Sequence, residues 1–243
     1  MASRGMTSPE QPTGSSGPRH VLVTGASSGI GAAVAMRLLA DGWMVTGLSR
    51  SEPDIRAPGF THRPLDLAAA DAPAIRSTLD GLPAVDALVH AAGLLRVGTL
   101  GALDREAGTA MWRLHVEAAS LLADIVVPDM APGGRIVLLG SRVAAGAADR
   151  SQYAATKAAL VGLARSWAIE LAPRGITVNV VAPGATETPM LLDSARAPSP
   201  PRRPPIGRFI QPTEIASLVA FLLTPDAGAI TGQQIVVCGG ASL

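Results

Sequence analysis

Cysteine is nearly absent from this 243-residue chain: Cys238 is the only one. A single thiol excludes an intrachain disulfide framework and a Cys-based zinc site. Aromatic residues are also scarce, at 3%, with one tyrosine, Tyr153. Charge of one sign is not in excess, since 20 basic residues face 19 acidic ones. That balance leaves no electrostatic footprint for nucleic acid, and stacking aromatics are lacking too. No apolar run approaches the ~18 residues of a spanning helix, so no membrane partner is expected. His20 and His62 show no ligand-like spacing to acids, so no catalytic metal is expected. What is abundant is small and apolar: 48% hydrophobic residues and 26 glycines. The length is enough to bury a real core, and the composition favours close helix-on-sheet packing in an α/β protein.

Residues 1–19 are rich in Ser, Gly and Pro without apolar periodicity, and are predicted to form a flexible tail. They contain no apolar core of a secretory signal. Order is expected from His20, with residues 20–243 as one domain. The run His20–Thr24 is apolar and β-branched, as in a buried parallel strand. A helix over Ala32–Ala40 and a strand over Trp43–Leu48 follow. Further strands are predicted at Ala84–Val89, Arg135–Leu139, Ile176–Val181 and Gln233–Val237. Helices are predicted near Ala70–Leu79 and over Met111–Met130, Ser151–Leu171 and Pro212–Leu223. This alternation implies right-handed crossovers and a single doubly wound parallel sheet, helix-covered on both faces: a Rossmann-type α/β fold. The stretch Pro189–Ile210 holds Pro198, Pro200, Pro201, Pro204 and Pro205, which exclude a regular helix or central strand. A long loop inside a compact domain is usually a lid or binding loop.

Between the first strand and helix stands Thr24-Gly-Ala-Ser-Ser-Gly-Ile-Gly31. Gly25 suits a tight turn, Gly29 admits backbone to a pyrophosphate, and Gly31 lets the helix sit close to the strand. Ser27, Ser28 and Ile30 complete a loop that delivers phosphates to a helix N-terminus, where free N–H groups favour anions. The spacing Gly25-xxx-Gly29-x-Gly31 resembles the TGxxxGxG motif of the short-chain dehydrogenase/reductase family. Further motifs of that family follow in order, so the resemblance spans residues 20–243.

At the end of the second strand, an acidic residue would bind the ribose 2′-hydroxyl of NAD. Here Ser49 takes that place and Arg50 follows it. A guanidinium pairs well with phosphate, which favours NADP over NAD. The alternative is a solvated arginine at a strand end. The resemblance also implies that Asp66 and Leu67 contact the adenine. His90-Ala91-Ala92-Gly93 stands where the family often has an Asn-rich segment. Ala91, Ala92 and Gly93 still allow close backbone approach to the cofactor, and His90 is read as a hydrogen-bonded scaffold residue. Pro183 and Gly184 resemble the family's PG turn, with Thr186 and Thr188 expected to hold the nicotinamide carboxamide or the pyrophosphate. Asn179 is read as structural, and Cys238 as a buried, small apolar residue.

Tyr153-Ala-Ala-Thr-Lys157 places a phenol and an ammonium at i and i+4 on one helical face. A phenol with pKa near ~10 is a poor acid at neutral pH, and a neighbouring ammonium lowers that pKa. Ser141 ends a strand at the carboxyl edge, twelve residues before Tyr153, where its hydroxyl can stabilise a developing oxyanion. By resemblance, Lys157 also binds the nicotinamide ribose. His115 replaces the family's Asn of a proton relay to the lysine. It either keeps that relay or is a buried histidine satisfied by backbone.

The resemblance implies a cytoplasmic oxidoreductase, carrying out reversible hydride transfer between NADP or NAD and a carbonyl or secondary alcohol. Tyr153 is the expected acid/base, the partner a small-molecule substrate, and the assembly a homodimer or homotetramer through helices near 111–130 and 151–171. A non-catalytic NADP-binding sensor or scaffold is the rival reading. The substrate stays open. Leu88–Gly98 resembles dehydrogenases of cyclic dihydrodiols, and the general pattern 3-oxoacyl carrier-protein reductases. Arg196, Arg202, Arg203 and Arg208 would draw an acidic substrate, unless they simply face water.

Overall fold

The computed structural model describes residues 17–193 and 200–243. Most of the predicted tail, and Arg196 and Pro198 of the predicted loop, lie outside the described residues. Among the described residues, seven parallel strands form one sheet in the order β3-β2-β1-β4-β5-β6-β7. They are β1 (His20–Thr24), β2 (Met44–Ser49), β3 (Phe60–Pro64), β4 (Ala87–His90), β5 (Arg135–Leu139), β6 (Thr177–Pro183) and β7 (Gln234–Val237). The helices are α1 (Gly29–Ala40), α2 (Ala72–Leu79), α3 (Arg105–Trp112), α4 (Ala118–Val126), α5 (Ser151–Leu171) and α6 (Pro212–Leu222).

The pleat explains the near-continuous apolar strands. Val21 and Val23 of β1 join Val34, Leu38, Ile215 and Val219 in one core, beneath α1 and α6. Leu22 points the other way, into a second core with Leu88, Leu122 and Leu160 beneath α4 and α5. A strand covered on both faces needs apolar residues at both parities. Among the described residues, no helix is long and apolar enough to cross a membrane.

Two departures from the predicted elements matter. Phe60–Pro64 forms an edge strand that the pattern did not announce. Its sequence FTHRP carries two basic residues, and its side chains are partly or fully exposed. An edge strand lacks the double burial that made the others legible. The predicted helix Met111–Met130 begins earlier, at Arg105, and is interrupted by a π-turn over Arg113–Glu117. There the Ala118 N–H reaches back to the Arg113 carbonyl. Asp104 caps the earlier start, accepting from the Glu106 and Ala107 N–H groups at 2.8 and 3.0 Å.

The chain winds outward from β1 in both directions, so the order reverses between β1 and β4. Open α/β sheets bind ligands outside the carboxyl ends of strands at such a point.

Candidate active site

Thr24 and His90 end β1 and β4 as register partners. Backbone contacts crowd together just beyond them. Gly25 has φ +67°, and a Cβ there would stand 2.8 Å from Ala92 Cα. A Cβ on Gly31 would lie 2.2 Å from the Gly25 carbonyl oxygen, so only glycine lets α1 start this close. Gly29, at φ +56°, faces the Thr188 methyl, 3.2 Å from where a Cβ would stand. The N-cap residue Ser28 makes no side-chain cap bond, and the first turn of α1 holds no acidic residue. The helix start is therefore open to an anion.

A cleft of about 280 Å³ lies over this point. Gly25 and the other predicted residues of the glycine turn line it, with Ser49, Arg50, Asp66, Leu67, the Ala91–Gly93 segment and Thr188. Pro183, Gly184 and Thr186 are not among its walls. Thr186 is buried, and its hydroxyl donates to the Gly184 carbonyl at 3.2 Å. Arg50 is exposed and makes no ion pair among the described residues. A glycine cradle, an open helix start and a free guanidinium at the end of β2 fit a dinucleotide with a phosphorylated ribose.

None of Ser141, Tyr153 and Lys157 is among the cleft walls; Lys157 is held near the end of β5, two residues before Ser141, by its bond to Leu139, and shares α5 with Tyr153. Ser141 is buried and caps the 3₁₀ turn Arg142–Ala145, its Oγ accepting the Val143 N–H at 3.2 Å. Its own hydroxyl proton has no acceptor among the described residues, which leaves it to donate. Tyr153 and Lys157 lie on α5, with Lys157 Nζ 5.8 Å from the Tyr153 ring centroid. Lys157 is 4% exposed and donates to the Leu139 carbonyl at 2.8 Å. No carboxylate pairs with it among the described residues, and burial pushes its ammonium down to about 7. A Cβ on the cleft residue Gly93 would stand 3.7 Å from this Nζ, so the amine adjoins the cleft wall.

Two buried histidines brace the arrangement. The Thr24 hydroxyl oxygen accepts the Ala91 and Ala92 N–H groups at 3.0 and 2.9 Å. Its proton then points to His90 Nδ1 at 3.1 Å, and His90 Nε2–H donates to the Leu114 carbonyl at 3.0 Å. This is the scaffold role expected of His90. Burial, and secondarily the Lys157 charge, hold its pKa down to about 3. At His115, Nε2 accepts the Leu94 N–H at 3.0 Å, so Nδ1 carries the proton and donates to Thr156 Oγ1 at 2.8 Å. Thr156 donates in turn to the Tyr153 carbonyl at 2.8 Å. Both His115 nitrogens are thus engaged, and its ring meets that of Tyr153 edge-on at 5.6 Å. Burial first, then Lys157 and His90, hold His115 well below the usual imidazole range.

A family model described as enoyl-(acyl carrier protein) reductase matches residues 25–242. The chain is 39% identical over 236 residues to the 3-oxoacyl-[acyl-carrier-protein] reductase FabG of Salmonella typhimurium, covering 90% of this chain and 95% of that one. It is 34% identical over 241 residues to a (2S)-[(R)-hydroxy(phenyl)methyl]succinyl-CoA dehydrogenase subunit of Thauera aromatica, covering 93% and 97%. A short-chain dehydrogenase from Burkholderia cenocepacia, solved in complex with NADP, superposes with a TM-score of 0.82 at 34% identity, covering 93% and 98%. The chain belongs to the short-chain dehydrogenase/reductase family.

Within this short-chain dehydrogenase/reductase, two supporting groups carry no signal of their own in the sequence: Thr156, since threonines in helices are common, and the Leu139 carbonyl, since any residue supplies one. Thr24 is visible as the first residue of the glycine motif, but its tie to His90 is not. Two other readings change. Arg208 is tied to Glu214 by bonds of 2.7 and 2.9 Å, so it is not free to draw a substrate. Cys238 is buried but not apolar in its contacts, with Sγ 3.1 Å from Ser242 Oγ. Burial raises that thiol, yet hydrogen bonds from Ser242, Gly240 and Ala241 bring it below its ordinary value. Asn179 is structural as expected, donating to the Ile230 carbonyl at 2.7 Å and accepting the Gln233 N–H at 3.1 Å.

Proposed function

We propose that residues 20–243 form one NADP-dependent domain that reduces a carbonyl, or oxidises a secondary alcohol, on a small molecule or acyl thioester. The observation that carries this reading is Lys157: a buried amine beside both the cleft wall and the only phenol of the chain. Bound NADPH supplies the hydride. The glycine turn would hold its pyrophosphate, Arg50 its 2′-phosphate, and Asp66 and Leu67 would border the adenine, all of them lining the cleft. By the family resemblance, Pro183, Gly184, Thr186 and Thr188 would hold the nicotinamide end, though of these only Thr188 is among the cleft walls.

Ser141 donates its hydroxyl proton to the substrate carbonyl oxygen, stabilising charge that develops there. Tyr153 gives its phenolic proton to that oxygen, and Lys157 stabilises the phenolate left behind. Lys157 also holds the ribose hydroxyls. His115 serves by position, since its two nitrogens already have protein partners; it fixes α5 at Tyr153 and Thr156 rather than carrying a proton itself. The enzyme works in the cytoplasm as a homodimer or homotetramer. Support for assembly comes from the outer face of α5, where Ala155, Ala158, Gly162 and Ile169 are exposed.

The test is oxidation of NADPH and NADH against ketones, quinones and 3-oxoacyl thioesters, with Tyr153→Phe alongside. Wild-type turnover with a loss of at least about a hundredfold in the variant is expected. Cofactor binding with no turnover on any substrate would favour the sensor reading.

A further inference from the structure

His62, on the edge strand β3, takes no part in the chemistry above and does not line the cleft. Its Nε2 nevertheless reaches the last residue of β2, lying 3.1 Å from Ser49 Oγ and 3.2 Å from the Ser49 carbonyl oxygen. A carbonyl oxygen can only accept, so Nε2 carries a proton. The Ser49 hydroxyl spends its own proton on the Ser51 carbonyl at 2.8 Å, so Oγ too is an acceptor for His62. The Leu65 N–H fills the remaining place on the Ser49 carbonyl, at 3.1 Å.

These bonds tie down the backbone on both sides of a single residue. Ser49 is fixed from β3, and Ser51 is drawn back onto Ser49. Between them stands Arg50, exposed and without an ion-pair partner among the described residues. Ser49 is 6% exposed, so its hydroxyl is occupied with this hook rather than free to bind solvent or ribose. A long, flexible side chain pays less on binding when its backbone is held in place beforehand.

We propose that His62 is a specificity-determining positioning residue for NADP: it braces the Ser49–Ser51 hook that presents Arg50 to the 2′-phosphate. The inference rests on the reading of Arg50 given above. NADH has no 2′-phosphate and does not call on Arg50, so its binding is indifferent to the brace.

The experiment titrates NADPH and NADH into the full-length protein by nicotinamide fluorescence, for wild type, His62→Ala, His62→Gln and Arg50→Ala. Thermal melts accompany each variant. Losing the brace is expected to weaken NADPH about three- to tenfold, the worth of one or two hydrogen bonds, with NADH unchanged within about twofold. His62→Gln, which keeps an N–H donor at similar reach, is expected to restore most of the NADPH affinity. Equal weakening of both cofactors, or no change for NADPH, overturns the proposal. If Arg50→Ala lowers NADPH affinity selectively while neither His62 variant does, only the brace is wrong. If Arg50→Ala leaves the NADPH to NADH ratio untouched, the assignment of Arg50 fails and the brace with it.

Discussion

His115 Nδ1 lies 2.8 Å from Thr156 Oγ1, and this bond joins the segment that walls the cleft to the helix that bears Tyr153. The other ring nitrogen holds the Leu94 N–H. Leucine at position 115 fills a similar volume but leaves that N–H without a partner. His115→Leu is expected to lower stability by about 1–3 kcal/mol in urea unfolding, the cost of an orphaned buried donor. Turnover should fall with it, mainly in kcat. His115→Asn, which can still donate and accept, should recover more than half of both losses.

Acid should destabilise the fold through the same histidines. His90 is held down to about 3 by burial, and His115 also lies well below its ordinary value. The unfolded chain binds protons at both residues near ~6.5, while the folded chain does not. Unfolded molecules therefore hold more protons as pH falls below that point, and stability drops with it. For His90 alone the loss at pH 5 is about 2 kcal/mol relative to pH 7.5. Urea midpoints at the two pH values measure it, and His90→Asn should flatten the slope.

Lys157 is the only lysine of the chain, which makes its chemistry easy to isolate. With its amine pushed down to about 7, the neutral, nucleophilic form exists at physiological pH. Reductive methylation with formaldehyde and cyanoborohydride should modify one internal residue, at a rate that levels off above pH 8. An ordinary lysine would keep gaining to about pH 10. NADPH should protect it, and peptide mapping of the Lys157→Arg variant should find no internal label.

Gly31 is the tightest point of the glycine turn. Its missing Cβ would fall 2.2 Å from the Gly25 carbonyl oxygen, a backbone atom that cannot step aside alone. Gly31→Ala should cost more than about 3 kcal/mol, or abolish folding, and any folded protein should lose NADPH binding in the same titration.

Ile169 tests the assembly. It is 78% exposed on α5, a large apolar side chain with nothing over it in the single chain. Light scattering at micromolar concentration is expected to give at least twice the mass of one chain. Ile169→Glu should shift the mass toward the monomer. A monomeric wild type would overturn the proposed assembly.

Much of this protein was legible from local pattern. The sheet's central strands announced themselves because both of their faces are buried, which calls for apolar residues at both parities. The glycine turn was legible because neighbouring backbone leaves no room for a Cβ at Gly25 and Gly31, and Tyr153-xxx-Lys157 because helical period alone sets the two side chains on one face. β3 escaped because an edge strand with exposed side chains needs no such composition. The π-turn at Arg113–Glu117 escaped for another reason: a shift in hydrogen-bond register leaves no mark in residue types.

Sequence by itself determined which groups the candidate site offers: a phenol, an amine, a serine hydroxyl, an arginine without an acid at the end of β2, and histidines at positions 90 and 115. Tertiary structure alone decided their states. Burial without a carboxylate partner sets the amine near neutrality, and the Leu94 N–H dictates which nitrogen of His115 carries its proton. His62 gained its place at Ser49 only when β3 paired with β2. Protonation and tautomer follow from distance and burial among residues far apart in the chain, and those are created by folding.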